Sequence, residues 1–452
     1  MAFKSVNPYN NQELASFPEH SITEQEVILK KADKTFTEWR TRSFAERAKV
    51  LNRAAEILKK NSEKYAKTIS SEMGKPISEA RAEVKKCAWV CEYYAENAEG
   101  FLSPKSIDTD AHESFVTYEP LGAILAIMPW NFPFWQVFRF AAPTLMAGNI
   151  GLLKHASNVL GSGKHIADIF SEAGAPEGAF QHLLVSHDSI ETLLGNDIVK
   201  AVSLTGSEKA GASVASLAGK NIKKSLLELG GSNAFVVLDD ADIDKAVEIG
   251  VKARFMNTGQ SCIAAKRFIV VEKAYDKFVE GFVNKVKALK SGDPMLDSSE
   301  IGVLAREDLA DILAEQVDKS VEMGAKIKLG GKQNGAYYEP TVLTHITAAM
   351  PVFKEETFGP VAPIIKVKNA KEAFEVAKDT EFGLGISVFT EDLEKVKAYI
   401  KEVPDGAFFV NDLVKSDPRL PFGGTKKSGF GRELAKDGIM EFVNVKTVYI
   451  QK

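Results

Sequence analysis

The first residue that could do chemistry is a cysteine. The 452-residue chain has three cysteines, Cys87, Cys91 and Cys262, and only Cys262 follows a polar, loop-forming segment, NTGQS at 257–261. A single cysteine in such a loop is a candidate nucleophile, although an isolated cysteine is more often a small buried apolar residue. No histidine partner of the kind that a thiol protease uses is evident. The sequence therefore predicts a nucleophile that works with a different base.

A carboxylate, Glu228, is the candidate for that base. It ends the apolar segment SLLE, and only Leu229 separates it from Gly230 and Gly231. Burial at such a position would raise the pKa of a carboxyl group towards neutrality, as a general base requires. The alternative is a glutamate that forms an ion pair with Lys223 or Lys224. The pattern alone leaves both interpretations open.

Signals for phosphate binding are weak. The segment LGSGKHIAD at 160–168 is not a P-loop, and no G-x-G-x-x-G fingerprint occurs there. The TGS segment at 205–207 lies between an apolar strand pattern and a helical pattern, so Ser207 could cap a helix whose free N–H groups attract a pyrophosphate. The seven histidines show no metal-ligand spacing, and we predict no metal site.

Composition places these residues in an ordinary globular protein. Apolar residues make up 45% of the chain and charged residues 26%, which excludes wholesale disorder. The net charge of −4 is too small and too evenly spread for a nucleic-acid-binding protein. Few cysteines and a start without an apolar signal core predict a cytoplasmic protein. Residues 120–153 carry one charge, Arg139, but three prolines break the run, so we predict no membrane span.

The elements that position these residues follow from apolar periodicity. Residues 24–100 are helical by pattern. From residue 122 onwards short apolar runs alternate with helical patterns, which is typical of βαβ units and a mostly parallel sheet. A second such series begins near residue 225, so we predict two α/β domains joined near residue 229. In the first domain the predicted strands are 122–128, 150–154, 181–185 and 201–204, and the predicted helices are 134–146, 162–173 and 207–218.

Several longer motifs carry a family resemblance. The chain resembles the aldehyde dehydrogenase superfamily over essentially its whole length, and it is most similar to the bacterial short-form, NAD(P)-dependent succinate-semialdehyde dehydrogenase branch. The segments that carry the resemblance are PWNFP at 129–133, LLKHAS at 152–157, TGS at 205–207, LELGG at 227–231, NTGQSC at 257–262, EETFGP at 355–360 and PFGG at 421–424.

This resemblance implies an α/β fold with three parts. A Rossmann-type cofactor domain would comprise 1–103 and 121–229, and an α/β catalytic domain 230–430. A small β oligomerisation arm would combine 104–120 with 431–452. An edge strand without a partner of its own suits coverage by a second subunit, so we expect a homodimer or homotetramer.

The resemblance also implies a mechanism. Cys262 would attack the aldehyde carbonyl, and the Asn131 side-chain amide with the backbone N–H of Cys262 would form the oxyanion hole. Hydride loss would leave a thioester, and Glu228 would activate the water that hydrolyses it. Relatives that pass the acyl group to coenzyme A lack this glutamate, so we expect a free carboxylic acid as product.

The expected cofactor is NAD or NADP. NAD-preferring relatives often have an acid three residues after the motif lysine, whereas this chain has Ser157 after Lys154, so NADP should be accepted. The residues that match the family's cofactor positions are Trp130, Lys154, Ser157, Gly206, Ser207, Glu356 and Phe358.

At the substrate residues the chain partly departs from the pattern of its family. Arg139 and Ser416 match the positions that bind the substrate carboxylate in succinate-semialdehyde dehydrogenases. A second arginine of many of those enzymes is replaced by Met256. Arg139 could instead pair with a structural acid. We therefore expect oxidation of succinate semialdehyde, with two alternatives: broad activity on medium-chain or aromatic aldehydes, or a non-catalytic protein on the same fold.

Overall fold

The computed structural model describes residues 2–452. Within that range the α-helices are α1 Ile22–Trp39, α2 Phe44–Lys60, α3 Ser62–Met73, α4 Ile77–Leu102, α5 Trp135–Met146, α6 Leu160–Glu172, α7 Ser189–Gly195, α8 Glu208–Lys220, α9 Ile243–Phe255, α10 Glu272–Lys287, α11 Glu307–Glu322, α12 Pro351–Lys354, α13 Ala370–Lys378, α14 Leu393–Tyr399 and α15 Ala435–Met440.

The strands are mostly short and are joined into several sheets. They are β1 Ala2–Val6, β2 Glu13–Pro18, β3 Lys105–Ser106, β4 Glu113–Pro120, β5 Ala123–Met128, β6 Ile150–His155, β7 Phe180–His182, β8 Val199–Thr205, β9 Lys224–Glu228, β10 Asn233–Val237, β11 Ala265–Val271, β12 Lys326–Leu329, β13 Gln333–Asn334, β14 Tyr337–Tyr338, β15 Thr341–Thr344, β16 Val361–Val367, β17 Phe382–Gly383, β18 Ile386–Phe389, β19 Phe408–Val410, β20 Thr425–Lys426, β21 Gly429–Phe430 and β22 Val443–Ile450.

The first large sheet has the strand order β21-β9-β8-β5-β6-β7. Strands β5 to β9 pair in parallel, and β21 adds an antiparallel edge. All six residues of β5 and of β6 are buried, because helices cover both faces of such a sheet. The chain runs from β5 to β6 on one side and returns to β8 on the other, so a crevice forms at the carboxyl ends of β5 and β8.

The second large sheet has the strand order β12-β15-β16-β11-β10-β18-β19 and is parallel except for β12. It begins with β10 at Asn233, directly after β9 ends at Glu228. The residues that join the two sheets, 229–232, are all buried. A separate three-stranded sheet, β22-β4-β3, pairs the C-terminal strand with residues 113–120.

The predicted α/β fold class is confirmed. Strands and helices of the first sheet lie within about three residues of the predicted ranges, a normal uncertainty for element ends. The predicted helical region at 24–100 contains four helices, and capping boxes of Ser21 with Glu24 and Ser43 with Glu46 begin the first two. The domain boundaries stay a prediction. Within residues 2–452, no helix is both long and apolar enough to cross a membrane.

Candidate active site

A tightly held loop positions Cys262. The loop follows α9, and Asn257 and Thr258 both have a left-handed backbone, with φ of 58° and 53°. A β-branched residue such as threonine rarely adopts this conformation. The surrounding structure compensates, since the backbone N–H of Asn257 donates to Glu79 at 2.7 Å and Thr258 Oγ1 accepts from Gly302 at 3.1 Å. The thiol therefore sits on a fixed backbone.

The side chain of Gln260 joins this loop to a second segment. Its Oε1 accepts from the Ala305 backbone N–H at 2.9 Å, and its Nε2 donates to the carbonyls of Asn257 and Val303. The Lys266 ammonium donates to the Cys262 carbonyl at 3.1 Å. Both ends of the nucleophile loop are thus fixed by buried hydrogen bonds.

Asn131 lies against the same loop. Its Nδ2 donates to the Gln260 carbonyl at 3.0 Å, and its own carbonyl accepts from Asn257 Nδ2 at 2.9 Å. An amide nitrogen carries two hydrogens, so the side chain has a second donor for another acceptor. The structure thereby brings Asn131 and the segment before Cys262 together, as an oxyanion hole requires.

Glu228 is a buried carboxylate without a hydrogen-bond partner on either oxygen. Burial raises the pKa of Glu228 well above its ordinary value, Glu433 adds to that effect, and Arg139 opposes it. The two lysines that could have paired with it are engaged elsewhere, because Lys224 contacts Glu441 and Lys223 donates to a backbone carbonyl. Glu228 therefore forms no ion pair with Lys223 or Lys224.

Backbone geometry makes room for the Glu228 side chain. A Cβ on Gly423 would lie 2.7 Å from Glu228 Oε1, so only glycine leaves space there. The Glu228 carbonyl accepts from the Gly206 N–H at 3.0 Å. Glu228 thus supplies a free carboxylate with its side chain and stabilises the TGS turn with its backbone carbonyl.

Burial favours the neutral form of the Cys262 thiol. Burial raises the pKa of Cys262 to about 11, and the positive charges of Lys266 and Arg139 only partly oppose that shift. A thiol in this state needs a base to accept its proton before it can attack. The negative charge of Glu228 adds to the rise in the pKa of Cys262, so the two groups interact electrostatically.

The carboxyl ends of the first sheet hold the predicted cofactor residues. Lys154 lies one residue before the end of β6; its buried ammonium has no hydrogen-bond or ion-pair partner within residues 2–452, and burial lowers its pKa. Ser157 is exposed just beyond it. Ser207 caps α8, its Oγ accepting from the Ala210 N–H at 3.3 Å. The positive end of α8 and an unpaired cation therefore border one crevice, which suits a phosphorylated nucleotide.

The second group of predicted cofactor residues lies in the loop before β16. Glu356 forms an ion pair with Lys266, and its Oε1 accepts from the Gly231 N–H at 3.1 Å. Phe358 packs edge-on against Trp130, with ring centroids 5.7 Å apart. Lys266 thus links Glu356 to the backbone of the nucleophile loop, a connection that sequence reasoning did not find.

A cavity of about 730 Å³ opens onto Cys262. Its volume lies in the usual range for small-molecule sites. Its aromatic lining consists of Phe132, Trp135, Phe255 and Phe422, and the predicted substrate residues Arg139, Met256 and Ser416 line it as well.

Arg139, one of the predicted substrate residues, already has an acidic partner in the structure. Its guanidinium forms a buried ion pair with Glu433 and lies 4.6 Å from the Phe422 ring centroid. It also donates to Thr205 Oγ1 at 3.3 Å. This is the structural acid that the sequence left open as the alternative, and its position far along the chain explains why no local pattern indicated it. The charge of Arg139 is balanced before any substrate arrives.

Ser416 has two donors on its oxygen. The Lys86 ammonium donates to Ser416 Oγ at 2.8 Å, and Trp135 Nε1 donates to it at 3.1 Å. Lys86 and Glu79 both reach the cavity from α4. Sequence reasoning missed both, because they occur in an ordinary amphipathic helix with many charged residues. No local signal distinguishes them from their exposed neighbours.

No group of three or more His, Cys, Asp or Glu side chains in residues 2–452 is arranged to hold a metal ion.

Comparison with known proteins defines the class. The chain matches the aldehyde dehydrogenase family over residues 1–448 and belongs to that family. It is 51% identical to the probable succinate-semialdehyde dehydrogenase [NADP(+)] of Synechocystis sp., with all of both chains covered. It is 45% identical to succinate-semialdehyde dehydrogenase [NADP(+)] 1 of Mycobacterium tuberculosis, again over both full lengths.

Solved structures give the same result. The crystal structure of succinic semialdehyde dehydrogenase from Streptococcus pyogenes, in complex with NADP+, superimposes with a TM-score of 0.97 at 38% identity. Both chains are covered completely. The resemblance inferred from the motifs is thereby confirmed at the level of the family and the fold.

Proposed function

We propose that this chain oxidises succinate semialdehyde to succinate with NADP as its cofactor. The observation that carries the proposal is the buried, unpartnered carboxylate of Glu228, whose charge acts on the Cys262 thiol. The Asn131 amide contacts the loop that carries this thiol. A thiol, a base and an amide donor held near one another are the groups that thioester chemistry needs. The names of the relatives support the choice of substrate and cofactor.

The first half of the reaction depends on Cys262 and Asn131. The thiol loses its proton to a base, and the sulfur attacks the aldehyde carbon to form a thiohemiacetal. The negative oxygen would be stabilised by the second hydrogen of Asn131 Nδ2 and by the Cys262 N–H. Bound NADP would supply the hydride acceptor that converts this adduct into a thioester. The fixed nucleophile loop keeps the sulfur in place throughout.

The second half depends on Glu228. Burial raises the pKa of Glu228 and so strengthens it as a proton acceptor, which suits a base that first accepts and later returns protons. It activates a water molecule, and the hydroxide attacks the thioester carbon. The bond to Cys262 breaks, the thiol is restored and the carboxylic acid leaves.

The residues at the crevice fit NADP. Lys154 is a buried ammonium without a partner among the residues that the structure describes, and such a cation favours an anionic ligand. Ser157 offers a hydroxyl without repelling a phosphate. Glu356 is held by Lys266 and the Gly231 N–H in a position from which its carboxylate could accept from a ribose hydroxyl.

The test is a matrix of two aldehydes and two cofactors. Absorbance at 340 nm would follow reduced cofactor with succinate semialdehyde or butanal, each with NADP or NAD, in the presence and absence of coenzyme A. The proposal expects the highest kcat/KM for succinate semialdehyde with NADP and no effect of coenzyme A. No reduced cofactor with any aldehyde would favour the non-catalytic alternative.

Broad activity on uncharged aldehydes is a second candidate, favoured by the aromatic lining of the cavity. Phe132, Trp135 and Phe422 present apolar surface next to Met256, and such surface binds medium-chain or aromatic aldehydes without a charge. Similar kcat/KM values for hexanal, benzaldehyde and succinate semialdehyde would support it.

We also propose that the chain is a cytoplasmic homodimer or homotetramer. The three-stranded sheet exposes apolar side chains on β22, with Val445 58% and Tyr449 49% exposed. A second subunit would cover this surface. Light scattering after size-exclusion chromatography would give the subunit number, and replacement of Val445 by Lys should reduce it.

A further inference from the structure

The proposed substrate has a carboxylate at the end opposite its aldehyde. The part of the cavity that would hold this carboxylate, here called the tail end, needs a cation that is free to bind it. Arg139 does not meet this need, because Glu433 already neutralises it. Among the other lining residues, Lys415 pairs with Asp412 at 2.6 Å. Lys252 and Lys285 are exposed at the rim, where water screens their charge.

Lys86 differs from all of these. It is half-buried on α4 and lines the cavity together with Cys262. Its ammonium donates to Ser416 Oγ at 2.8 Å and lies 4.1 Å from the Trp135 ring centroid. Within residues 2–452 it has no carboxylate at ion-pair distance. An ammonium that leaves water for a serine and an aromatic ring keeps donor capacity for an anion.

Ser416 supplies a second donor at the same place. Its oxygen accepts from both Lys86 and Trp135, so both of its lone pairs are used. The hydroxyl hydrogen has no acceptor among the described residues. A carboxylate placed beside Ser416 would therefore receive one O–H hydrogen and one charged N–H hydrogen.

We propose that Lys86, together with the Ser416 hydroxyl, binds the carboxylate of the substrate and determines the preference for carboxylated aldehydes. This inference rests on the proposed function and names a residue for it. It replaces Arg139 as the carboxylate ligand and leaves that arginine to hold Glu433. It also accounts for the replacement of the family's second arginine by Met256, because the positive charge comes from α4 and not from the loop before Cys262.

The experiment compares Lys86→Met and Lys86→Gln with wild type on two four-carbon aldehydes, succinate semialdehyde and butanal. A charge-assisted hydrogen bond changes affinity by roughly 10- to 150-fold. We expect kcat/KM for succinate semialdehyde to fall by about that factor and kcat/KM for butanal to change less than about threefold. Lys86→Arg should retain most of the preference because it keeps the charge.

A binding measurement makes the test independent of turnover. Succinate should slow the alkylation of Cys262 by iodoacetamide in wild type, and this protection should be lost in Lys86→Gln. Lys285→Met is the matched control, since Lys285 lines the same cavity at its exposed rim. That variant should keep both the protection and the substrate preference.

The two proposals fail in different ways. If wild type shows no preference for succinate semialdehyde over butanal, the proposed function is wrong. If wild type has the preference and a folded Lys86 variant loses both substrates equally, or neither, then Lys86 is a structural residue and this inference is overturned. Thermal unfolding of each variant identifies the folded ones, and the glutamine and arginine variants serve where the methionine variant does not fold.

Discussion

The two ends of the cavity are built differently. At the reacting end, the side-chain amides of Asn131 and Gln260 donate to backbone carbonyls of the loop that carries Cys262, and this loop has a strained backbone. At the tail end, Lys86 and Ser416 meet through side chains that come from α4 and from a loop more than 300 residues later. At the reacting end the hydrogen-bonded loop holds the reacting groups in place. At the tail end side chains can be replaced without a change in the backbone. Chemistry and selectivity should therefore respond separately to substitution.

The largest expected effect is at the reacting end. Cys262→Ala removes the nucleophile and should lower kcat by about 10⁴-fold or more, because no other thiol lines the cavity. The kcat for succinate semialdehyde and the kcat for butanal should fall by the same factor. Residual turnover near the wild-type rate would show that the thiol is not the nucleophile.

Glu228→Gln separates the two halves of the reaction. This variant should still release a burst of one reduced cofactor per active site and then stall at the thioester, with steady-state turnover reduced by about 10²- to 10⁴-fold. Stopped-flow absorbance would measure the burst, and mass spectrometry would detect the acylated Cys262. Full steady-state turnover of a well-folded variant would contradict the role of Glu228 as the base.

Arg139 lies between the two ends of the cavity. Its replacement distinguishes a structural role from a role in binding the substrate carboxylate. Arg139→Met leaves Glu433 buried without its cation, so the free energy of unfolding should fall by about 3–5 kcal/mol. Activity on succinate semialdehyde and butanal should fall alike. Denaturant unfolding would measure the change in stability.

The double variant Arg139→Met/Glu433→Gln is the control for that measurement. It removes both charges and should recover part of the lost stability, as a double-mutant cycle requires for a direct pair. A loss confined to succinate semialdehyde, with unchanged stability, would return Arg139 to the role of carboxylate ligand.

Cofactor selection offers a smaller and more selective effect. Ser157 is exposed beside Lys154, and Ser157→Glu would place a carboxylate where it repels a 2′-phosphate and accepts from a 2′-hydroxyl. The ratio of kcat/KM for NADP to that for NAD should fall by roughly 10- to 150-fold. Ser157→Ala is the matched control and should shift the ratio far less. No NADP-linked activity in wild type would contradict the underlying argument.

The sequence predicted the reacting end better than the tail end for a physical reason. Cys262, Asn131 and Glu228 occur in short motifs, where neighbouring residues fix the backbone, so type and spacing are informative. The partner of Arg139 is almost 300 residues away, and Lys86 has the same helical surroundings as its exposed neighbour Lys85. Only tertiary packing decides which lysine faces the cavity. Strands and helices were predicted well because their apolar periods are local.

The smallest expected effect is on pH dependence, and it concerns only the tail end. The groups that act on Lys86 are Arg139, Cys87, Asp417 and Glu83, and burial with the nearby Arg139 lowers the pKa of Lys86 to about 8. Below that pH the ammonium is charged and binds a carboxylate; above it the neutral amine does not. The substrate carboxylate stays ionised throughout.

The measured quantity is the ratio of kcat/KM for succinate semialdehyde to that for butanal, since the titration of Cys262 and Glu228 affects both aldehydes and cancels. This ratio should fall by up to about tenfold between pH 7 and pH 9, as the charged fraction of a group with a pKa near 8 declines. Lys86→Arg should make the ratio independent of pH, because a guanidinium stays charged across this range. Lys86→Gln should give a low ratio at every pH. A wild-type ratio that stays constant, or one that still falls in the arginine variant, would show that another group sets the preference.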